Sequence, residues 1–249
     1  MRILLNGCMG RMGRAVADLA AQRGDTVAAG VDVVGGTAAF PVYPSPAAVT
    51  EAVDVVIDFS SPAALAAELD YVTANGLPLV LCTTGLSEEQ LAAVKEAATK
   101  IPVFFSSNMS LGVAVLAALT KKAAAVLGDT YDIEIVEMHH NQKLDAPSGT
   151  ALMLADAAKA GLAFEPEYVT DRYTRRQKRE KKEIGIASLR GGTVVGEHSV
   201  LFAGEQEVIT LSHSAQSRSV FAGGALAAAR FLIGKPAGLY NMEDILTDI

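Results

Sequence analysis

Short apolar runs alternate with segments of helical spacing along the first hundred residues of the chain. The runs that predict buried strands are residues 2–6, 26–31, 53–58, 77–82 and 102–105. The segments whose apolar positions repeat with a helical period are residues 9–21, 63–74 and 88–100. Strands that are apolar throughout are typical of a parallel sheet with helices on both faces. In such a sheet the ligand-binding loops follow the carboxyl ends of the strands, so we expect these loops to converge.

The pattern changes after residue 110. An Ala-rich helix is predicted over residues 111–127, and a strand in which apolar and polar residues alternate is predicted over 131–138. A helix over 151–159 follows, and further strands over 184–189, 193–202 and 207–213 should complete a sheet of about four strands. The last predicted helices, 220–233 and 242–247, are expected to return to the first sheet. The chain therefore divides into a predicted domain of residues 1–108 with 217–249 and a second of residues 109–216.

The composition excludes several classes of protein. The 249 residues carry 28 acidic and 21 basic side chains, a net charge of −7, which argues against a general nucleic-acid-binding protein. Two cysteines exclude a disulfide scaffold and fit a reducing compartment. No apolar run reaches membrane-spanning length, and the first apolar run is too short for a signal peptide. We therefore expect a cytoplasmic protein that binds neither nucleic acid nor membrane.

The loop after the first predicted strand is rich in glycine. Gly7, Gly10 and Gly13 give the spacing G-x-x-G-x-x-G directly before a helix. Glycines let the backbone approach a pyrophosphate, and the N-terminus of the helix favours its negative charge. Asp32 follows the second strand, where a carboxylate would hold a ribose hydroxyl. Together these features favour dinucleotide binding over the alternative that Asp32 is a solvated turn residue.

A cluster of polar residues follows the alternating strand. His139 and His140 are adjacent, and histidine exchanges protons near neutral pH. Lys143 adds a positive charge or a second proton donor. Residues 148–150, Ser-Gly-Thr, begin a helix and present N–H groups and hydroxyls that suit a carboxylate. The alternative is a set of surface polar residues with an ordinary helix cap.

Two other kinds of chemistry are disfavoured at this cluster. Adjacent histidines with no cysteine nearby do not have zinc-ligand spacing, so no metal is expected. Ser148 lacks the G-x-S-x-G surroundings of a serine hydrolase.

The segment that holds these residues resembles the signature of a known family. Residues 137–151 read E-M-H-H-N-Q-K-L-D-A-P-S-G-T-A, similar to the 4-hydroxy-tetrahydrodipicolinate reductase (dihydrodipicolinate reductase) family of nicotinamide-dependent enzymes in lysine and diaminopimelate synthesis. The similarity extends over essentially the whole chain. It includes the glycine loop, D-F-S at 58–60, T-T-G at 83–85, N-M-S-L-G-V at 108–113, R-G-G at 190–192, V-G-E-H at 195–198 and S-R at 217–218.

The resemblance implies a fold, an assembly and a reaction. The fold would be α/β, with a Rossmann-type parallel-sheet domain that binds the dinucleotide. A smaller α+β domain with a mixed sheet would bind the substrate and pair the chains of a homotetramer. The reaction would be the NAD(P)H-dependent reduction of 4-hydroxy-tetrahydrodipicolinate to tetrahydrodipicolinate with loss of water.

The resemblance also implies roles for individual residues. His139 would be the catalytic acid and base, and Lys143 would be the proton donor. The residues expected to hold the carboxylates of the substrate are His140, Ser148, Gly149 and Thr150. The residues expected to bind or border the cofactor are Gly7, Cys8, Met9, Gly10, Arg11, Met12, Asp32, Cys82, Thr83, Thr84, Ser106, Ser107, Asn108 and Met109.

Departures from the family pattern affect the cofactor site. Val33 and Val34 follow Asp32, where many relatives carry a basic residue that can meet a 2′-phosphate. A carboxylate without an adjacent cation should repel the phosphate of NADPH, so we predict a preference for NADH, with Arg11 able to rescue some NADPH binding. Met109 replaces an aromatic residue of other members, a change we expect to be tolerated because methionine adapts to its surroundings.

Alternatives remain for the function and for one segment. Another Rossmann nicotinamide oxidoreductase, acting on an amino-acid-derived substrate, would not need the histidine–lysine cluster. A regulatory protein that only senses the dinucleotide would need neither His139 nor Lys143. Residues 172–182 are rich in Arg and Lys, and a nucleic-acid patch is conceivable there. The acidic flanks favour a solvated, mobile surface loop instead.

Overall fold

The structure, a computed structural model, describes residues 1–106, 108–128 and 130–247 and divides the chain into two compact units. The first unit is Met1–Leu111 together with the chain from Arg218 onward, and the second is Gly112–Ser217. The sequence places these boundaries after residues 108 and 216.

The described residues form two sheets with helices packed on them. In chain order the strands are β1 (Arg2–Asn6), β2 (Thr26–Val31), β3 (Val42–Tyr43), β4 (Val55–Asp58), β5 (Leu79–Leu81), β6 (Pro102–Phe105), β7 (Asp132–His139), β8 (Glu167–Val169), β9 (Glu183–Arg190), β10 (Gly196–Ala203), β11 (Val208–Ala215) and β12 (Gly238–Tyr240). The helices are α1 (Arg11–Gln22), α2 (Leu65–Asn75), α3 (Glu88–Ala97), α4 (Leu111–Leu127), α5 (Gly149–Gly161), α6 (Ser219–Leu232) and α7 (Met242–Thr247). Among these described helices, none combines the length and the apolar character that a bilayer span requires.

The predicted elements are present, with ends that shift by a few residues. The pattern does not predict β3, β8 and β12, because strands of two or three residues are too short to show a period.

The sheet of the first unit is parallel throughout, in the order β12-β6-β5-β4-β1-β2-β3. Strands β2 and β3 lie on one side of β1, and β4, β5 and β6 lie on the other, so the order of the strands reverses at β1. Ligands bind at such switch points. Val103 of β6 packs in one cluster with α2 and α3. Its neighbour Phe104 points the other way, onto Phe231 of α6, with ring centroids 6.2 Å apart. Helices therefore cover both faces, as predicted.

The sheet of the second unit is mixed, in the order β11-β10-β7-β9-β8. The prediction of about four strands is wrong by one strand, since the short β8 joins the sheet beside β9. Helices α4 and α5 pack on one face, where Leu116 and Leu154 belong to the same apolar cluster as Ile135 and Phe202. Along β7 every second residue is buried on this face, and the buried positions at its carboxyl end are polar. This end of the sheet therefore places ionisable side chains next to the apolar core.

The basic segment between β8 and β9 is exposed, but it is held onto the second sheet. Arg172 donates to Glu134 at 2.8 Å and to Glu183 at 2.6 Å. Arg179 donates to Asp132 and to Glu134, both at 3.0 Å. These guanidinium groups are therefore paired with acids of β7 and β9, which reduces their availability to phosphates. The segment is largely exposed, as predicted, but these two arginines are paired with acids of the sheet.

Candidate active site

The glycine loop lies at the switch point of the first sheet, where its backbone contacts neighbours that leave no room for side chains. Gly7 has a φ of +73°, and a Cβ atom there would lie 2.5 Å from the carbonyl oxygen of Phe59. A Cβ atom at Gly13 would lie 2.3 Å from the carbonyl oxygen of Gly7. Only glycine permits these approaches. Helix α1 therefore packs directly on the loop.

The N-terminus of α1 presents backbone N–H groups that precede the helical ladder of hydrogen bonds. The N–H of Arg14 donates to the carbonyl of Gly10 at 3.0 Å, which starts the ladder of helical hydrogen bonds. The amides of residues 11–13 come before that first bond, at the positive end of the helix dipole. This arrangement suits an anionic group such as a pyrophosphate.

Asp32 lies at the carboxyl end of β2 with its carboxylate held by the backbone. Its two oxygens accept hydrogen bonds from the N–H groups of Met9 and Val34, both at 3.0 Å. It borders a cavity of about 450 Å³, and among the described residues that line this cavity Asp32 is the one charged side chain. Val33 and Pro46 give the same cavity apolar surface. The cavity can therefore take a polar ribose and a flat apolar base.

A second cavity, of about 370 Å³, lies beside the first. Both cavities are lined by Gly10, Phe59 and Ser60, so together they form one groove along the carboxyl ends of the strands. The residues of the cofactor prediction that line the second cavity are Gly10, Arg11, Met12, Cys82, Thr83 and Thr84. The structure therefore brings together loops that follow β1, β2, β4 and β5.

Some predicted cofactor residues lie away from this groove. The Cys8 thiol is buried against Gly30 of β2, where a Cβ atom would approach its sulfur to 2.5 Å, and burial raises the pKa of Cys8 to about 11. Met109 is buried, and its carbonyl packs on Gly224 of α6. Ser106 donates to the carbonyl of Asn108 at 2.9 Å, and neither residue lines the two cavities. Ser107 lies outside the described residues.

A buried carboxylate joins two walls of the second cavity. Asp58 accepts a hydrogen bond from the Thr83 hydroxyl at 2.5 Å and another from the N–H of Ser60 at 2.9 Å. Burial raises the pKa of Asp58, although these hydrogen bonds oppose the shift. Because Ser60 and Thr83 both line the cavity, Asp58 fixes the loops after β4 and β5 relative to each other.

A second buried acid lies close to Asp58. The side-chain amide of Asn6 donates to Oε1 of Glu68 at 3.1 Å, and Oε2 has no partner among the described residues. Burial, followed by the charge of Asp58, raises the pKa of Glu68 well above its usual range. Glu68 is therefore held toward its neutral form.

The second unit contains an ionised acid beside a histidine, at the carboxyl end of β7. Nδ1 of His139 lies 2.5 Å from Oε2 of Glu137. Arg190 of β9 donates to both oxygens of Glu137, each at 2.9 Å. Burial opposes ionisation of Glu137, but hydrogen bonds from Arg190, Ser188 and His139 lower its pKa to about 2. Glu137 is therefore a carboxylate that accepts the Nδ1 proton and leaves Nε2 of His139 for chemistry.

Ser148 caps α5, as the sequence predicts, but its polar atoms contact the protein. Its hydroxyl accepts from the N–H of Ala151 and lies 3.1 Å from Nε2 of His198, and its own N–H donates to Glu137 at 3.2 Å. Ser148 is 2% exposed. The residues that follow it, Gly149 and Thr150, are more accessible and begin the helix.

The remaining predicted residues lie on the turn after β7. Nζ of Lys143 donates to Asp145 at 2.8 Å, and His140 is half-buried. The carbonyl of His140 accepts from the N–H of Lys143 at 3.1 Å, which closes the turn. His139, Lys143 and the start of α5 thus belong to one end of the second unit.

Sequence reasoning assigned no role to Asp58, Glu137, Arg190 or His198. A signal existed for Glu137, because residues two apart in a strand share a face and Glu137 lies two positions before His139. No local signal marks Arg190 or His198, since each reaches the site through strand pairing with β7.

The fold and the site define a class of protein. A groove that suits a dinucleotide lies at the switch point of a doubly wound sheet, and the second unit holds a histidine paired with a buried carboxylate beside a helix N-terminus suited to an anion. These are the parts of a nicotinamide-nucleotide oxidoreductase of the Rossmann type.

Two family models and many relatives match nearly the whole chain. The model described as dihydrodipicolinate reductase, N-terminus, matches residues 1–109, and the model for the C-terminus matches residues 112–246. The 4-hydroxy-tetrahydrodipicolinate reductases of Caldanaerobacter subterraneus subsp. tengcongensis and Clostridium tetani are 54% and 46% identical to this chain. These alignments cover 99% of this chain in both cases, and 98% and 97% of those proteins. The chain belongs to the dihydrodipicolinate reductase family, and the predicted reductase class is confirmed.

Solved structures agree with this assignment. A dipicolinate-bound dihydrodipicolinate reductase from Paenisporosarcina sp. TG-14 superposes with a TM-score of 0.81 at 25% identity, covering 98% of this chain and 99% of that one. A probable dehydrogenase from Thermotoga maritima, 13% identical, shares the fold with a TM-score of 0.60, covering 99% of this chain and 93% of that one. The predicted fold, a Rossmann-type domain with a second mixed sheet, is confirmed.

Proposed function

We propose that this chain reduces 4-hydroxy-tetrahydrodipicolinate to tetrahydrodipicolinate with loss of water, and that it prefers NADH to NADPH. The observation that carries the proposal is the buried, ionised Glu137 held by Arg190 against His139 in a chain of this family. The dipicolinate-bound relative supports a planar dicarboxylate as the kind of substrate.

The residues of the first unit fit a nicotinamide dinucleotide. Gly7 and Gly13 leave backbone room beside the amides of α1, which would hold the pyrophosphate. Asp32 would hold the ribose hydroxyls, and the loops with Ser60 and Thr83 would border the nicotinamide. When it is bound, the dinucleotide supplies the hydride.

His139 moves a proton at its Nε2 atom. Glu137 accepts from Nδ1 and stabilises the protonated ring, so Nε2 can donate a proton to the substrate and accept one back. A Cβ atom at Gly196 would lie 3.1 Å from this Nε2, so the glycine keeps the neighbourhood of that atom open.

Lys143 stabilises negative charge and delivers a proton. Its partner Asp145 is 60% exposed, and an exposed ion pair is worth only about 0–1 kcal/mol, so the substrate can replace Asp145 at low cost. Reduction of a conjugated ring leaves developing negative charge, which an ammonium group stabilises. His140 and the amides of Gly149 and Thr150 would hold the carboxylates of the substrate.

The preference for NADH follows from the charge of the adenosine cavity. Asp32 is the one charged residue among its described lining, and the exposed Val33 stands where a cation could meet a 2′-phosphate. Two like charges about 4 Å apart near a protein surface repel by about 4 kcal/mol before screening by salt. Arg11 is exposed on α1 and lines the neighbouring cavity, so it can offset part of this repulsion.

The reaction is tested by following NADH absorbance with substrate freshly made from pyruvate and aspartate semialdehyde. We expect oxidation that requires the substrate. Lys143→Ala should lower kcat by about 100-fold or more, because it removes a proton donor. The control is Lys159→Ala, which removes an exposed lysine of α5 that pairs with Glu165. No oxidation by the wild-type protein would defeat the proposal, and near-normal turnover by Lys143→Ala would remove Lys143 from the mechanism.

The cofactor preference is tested by measuring kcat/KM for NADH and NADPH at the same ionic strength. We expect a higher value for NADH, and the difference should shrink as salt screens the repulsion. A strong preference for NADPH would contradict the role given to Asp32.

We further propose that the chain forms a homotetramer through the second sheet. Helices α4 and α5 cover one face of this sheet, and strand register places Met138, Leu189 and Val208 on the other face. Leu189 and Val208 are at least half exposed. Light scattering should give the mass of four chains, and Leu189→Glu should shift it toward smaller species. A monomeric wild-type protein would contradict this proposal.

A further inference from the structure

His198, a residue of β10, lies beside the acid–base histidine. It is 4% exposed, and its ring meets the ring of His139 edge to face, with centroids 5.1 Å apart and planes at 76°. Its Nε2 lies 3.1 Å from the Ser148 hydroxyl. A buried imidazole in contact with both His139 and the cap of α5 is well placed to affect the chemistry.

These contacts connect four residues in a closed ring: Glu137, His139, His198 and Ser148. Glu137 holds Nδ1 of His139 with one oxygen and the N–H of Ser148 with the other. The Ser148 hydroxyl is hydrogen-bonded to His198, and the ring of His198 contacts the ring of His139. Without His198, the hydrogen bond at Nδ1 would be the one fixed point of the His139 ring within this group, and the ring could tilt about it.

The surroundings of His198 favour its uncharged form. Burial, followed by the charge of His139, lowers the pKa of His198 to about 4. Glu137 of β7 opposes this shift, while His213 of β11 and Lys143 of the turn after β7 add to it. A neutral ring can pack on His139 whether His139 is protonated or not, without like-charge repulsion between them.

We propose that His198 is a positioning residue for His139. It packs against the acid–base ring and, through Ser148, ties that ring to the N-terminus of α5, so that Nε2 keeps one direction through the proton transfer. The proposal rests on the catalytic role proposed for His139, and it removes the Ser148 hydroxyl from the set of substrate ligands.

The first test is kinetic. His198→Ala removes both contacts and should lower kcat at least 10-fold while leaving KM for NADH unchanged, because misplacing a reacting group by 1 Å can cost about 100-fold. His198→Phe keeps a ring but loses the hydrogen bond, and Ser148→Ala removes that bond from the other side. Both variants should lose a similar factor in kcat, smaller than that of His198→Ala. Both should also move the midpoint of the profile of kcat/KM against pH. The control is His213→Ala, which removes the β11 residue that lies opposite His198 in the pairing of β10 with β11 but makes none of the contacts given above for His139.

The second test does not depend on turnover. The chain has four histidines, so their ring signals can be followed by NMR during a pH titration. The His139 signals should shift and broaden in His198→Ala and stay unchanged in His213→Ala. This comparison remains decisive if the wild-type protein does not reduce the substrate, an outcome that would defeat the proposed function alone.

Two results would overturn the proposal. One is a His198→Ala protein with wild-type kcat, pH profile and His139 signals. The other is a variant that loses thermal stability but keeps all three properties when folded, which would make His198 a packing residue only. If His198→Ala does not fold, His198→Phe and Ser148→Ala decide between the same outcomes.

Discussion

Replacing Arg190 by Met should destabilise the second unit and impair His139 together. Arg190 is the bidentate partner of Glu137, which is completely buried. The environment lowers the pKa of Glu137 from 4.5 to about 2, and each pKa unit is worth about 1.36 kcal/mol, so ionised Glu137 contributes about 3 kcal/mol. Breaking a buried ion pair by removing one partner costs a similar amount, about 3–5 kcal/mol.

The loss should appear as a melting temperature roughly 6–12 °C lower, given about 2–4 °C per kcal/mol for a protein of this size. The same variant should lose at least about tenfold in kcat, because His139 loses the anion that orients it. A carboxyl group whose pKa is lowered by folding stabilises the folded state at pH values above its unfolded pKa. This contribution is lost as the pH falls through its folded pKa. The stability gap between Arg190→Met and wild type should therefore be complete at neutral pH and narrow as pH falls below about 4.5.

Calorimetry and NADH oxidation measure the two effects. Lys159→Met is the matched control, since it breaks an ion pair of the same unit whose partners are 41% and 77% exposed and should change the melting temperature little. If Arg190→Met melts and turns over like the wild-type protein, the structural account of Glu137 is wrong.

Further substitutions test other parts of the molecule. Val33→Arg, which places a cation beside Asp32, should raise kcat/KM for NADPH on the order of tenfold relative to NADH, and an unchanged ratio would contradict the assignment of this cavity. Gly13→Ala should weaken NADH binding in a fluorescence titration, because its Cβ atom would lie 2.3 Å from the backbone of the glycine loop. The control is Gly223→Ala in α6, where the nearest neighbour of the Cβ atom is 3.5 Å away, and this variant should bind NADH normally. The raised pKa of Glu68 means that folding favours its neutral form, so the contribution of Glu68 to stability falls as pH rises above about 4.5. Glu68→Gln should remove that decline in urea unfolding at several pH values, and parallel curves for the two proteins would refute it.

Much of the fold could be predicted because its elements are local patterns. The continuous apolar runs of β1, β2 and β4 and the helical spacing of α1–α3 are visible in short windows of sequence, and they lead to a parallel sheet with its loops at one edge. The alternating residues of β7 likewise mark its buried face. The short β3, β8 and β12 give no such window, and so the second sheet was predicted with one strand too few.

The family, the two kinds of sheet and the candidate site residues can be predicted from the sequence alone, because a motif such as residues 137–151 is contiguous. How those residues are held depends on contacts between distant parts of the chain. Glu137 meets Arg190 across 53 positions, and Ser148 meets His198 across 50. Both contacts depend on the register of β7 with β9 and β10. Strand register is set by the packing of the whole sheet, and no short segment of the chain contains it.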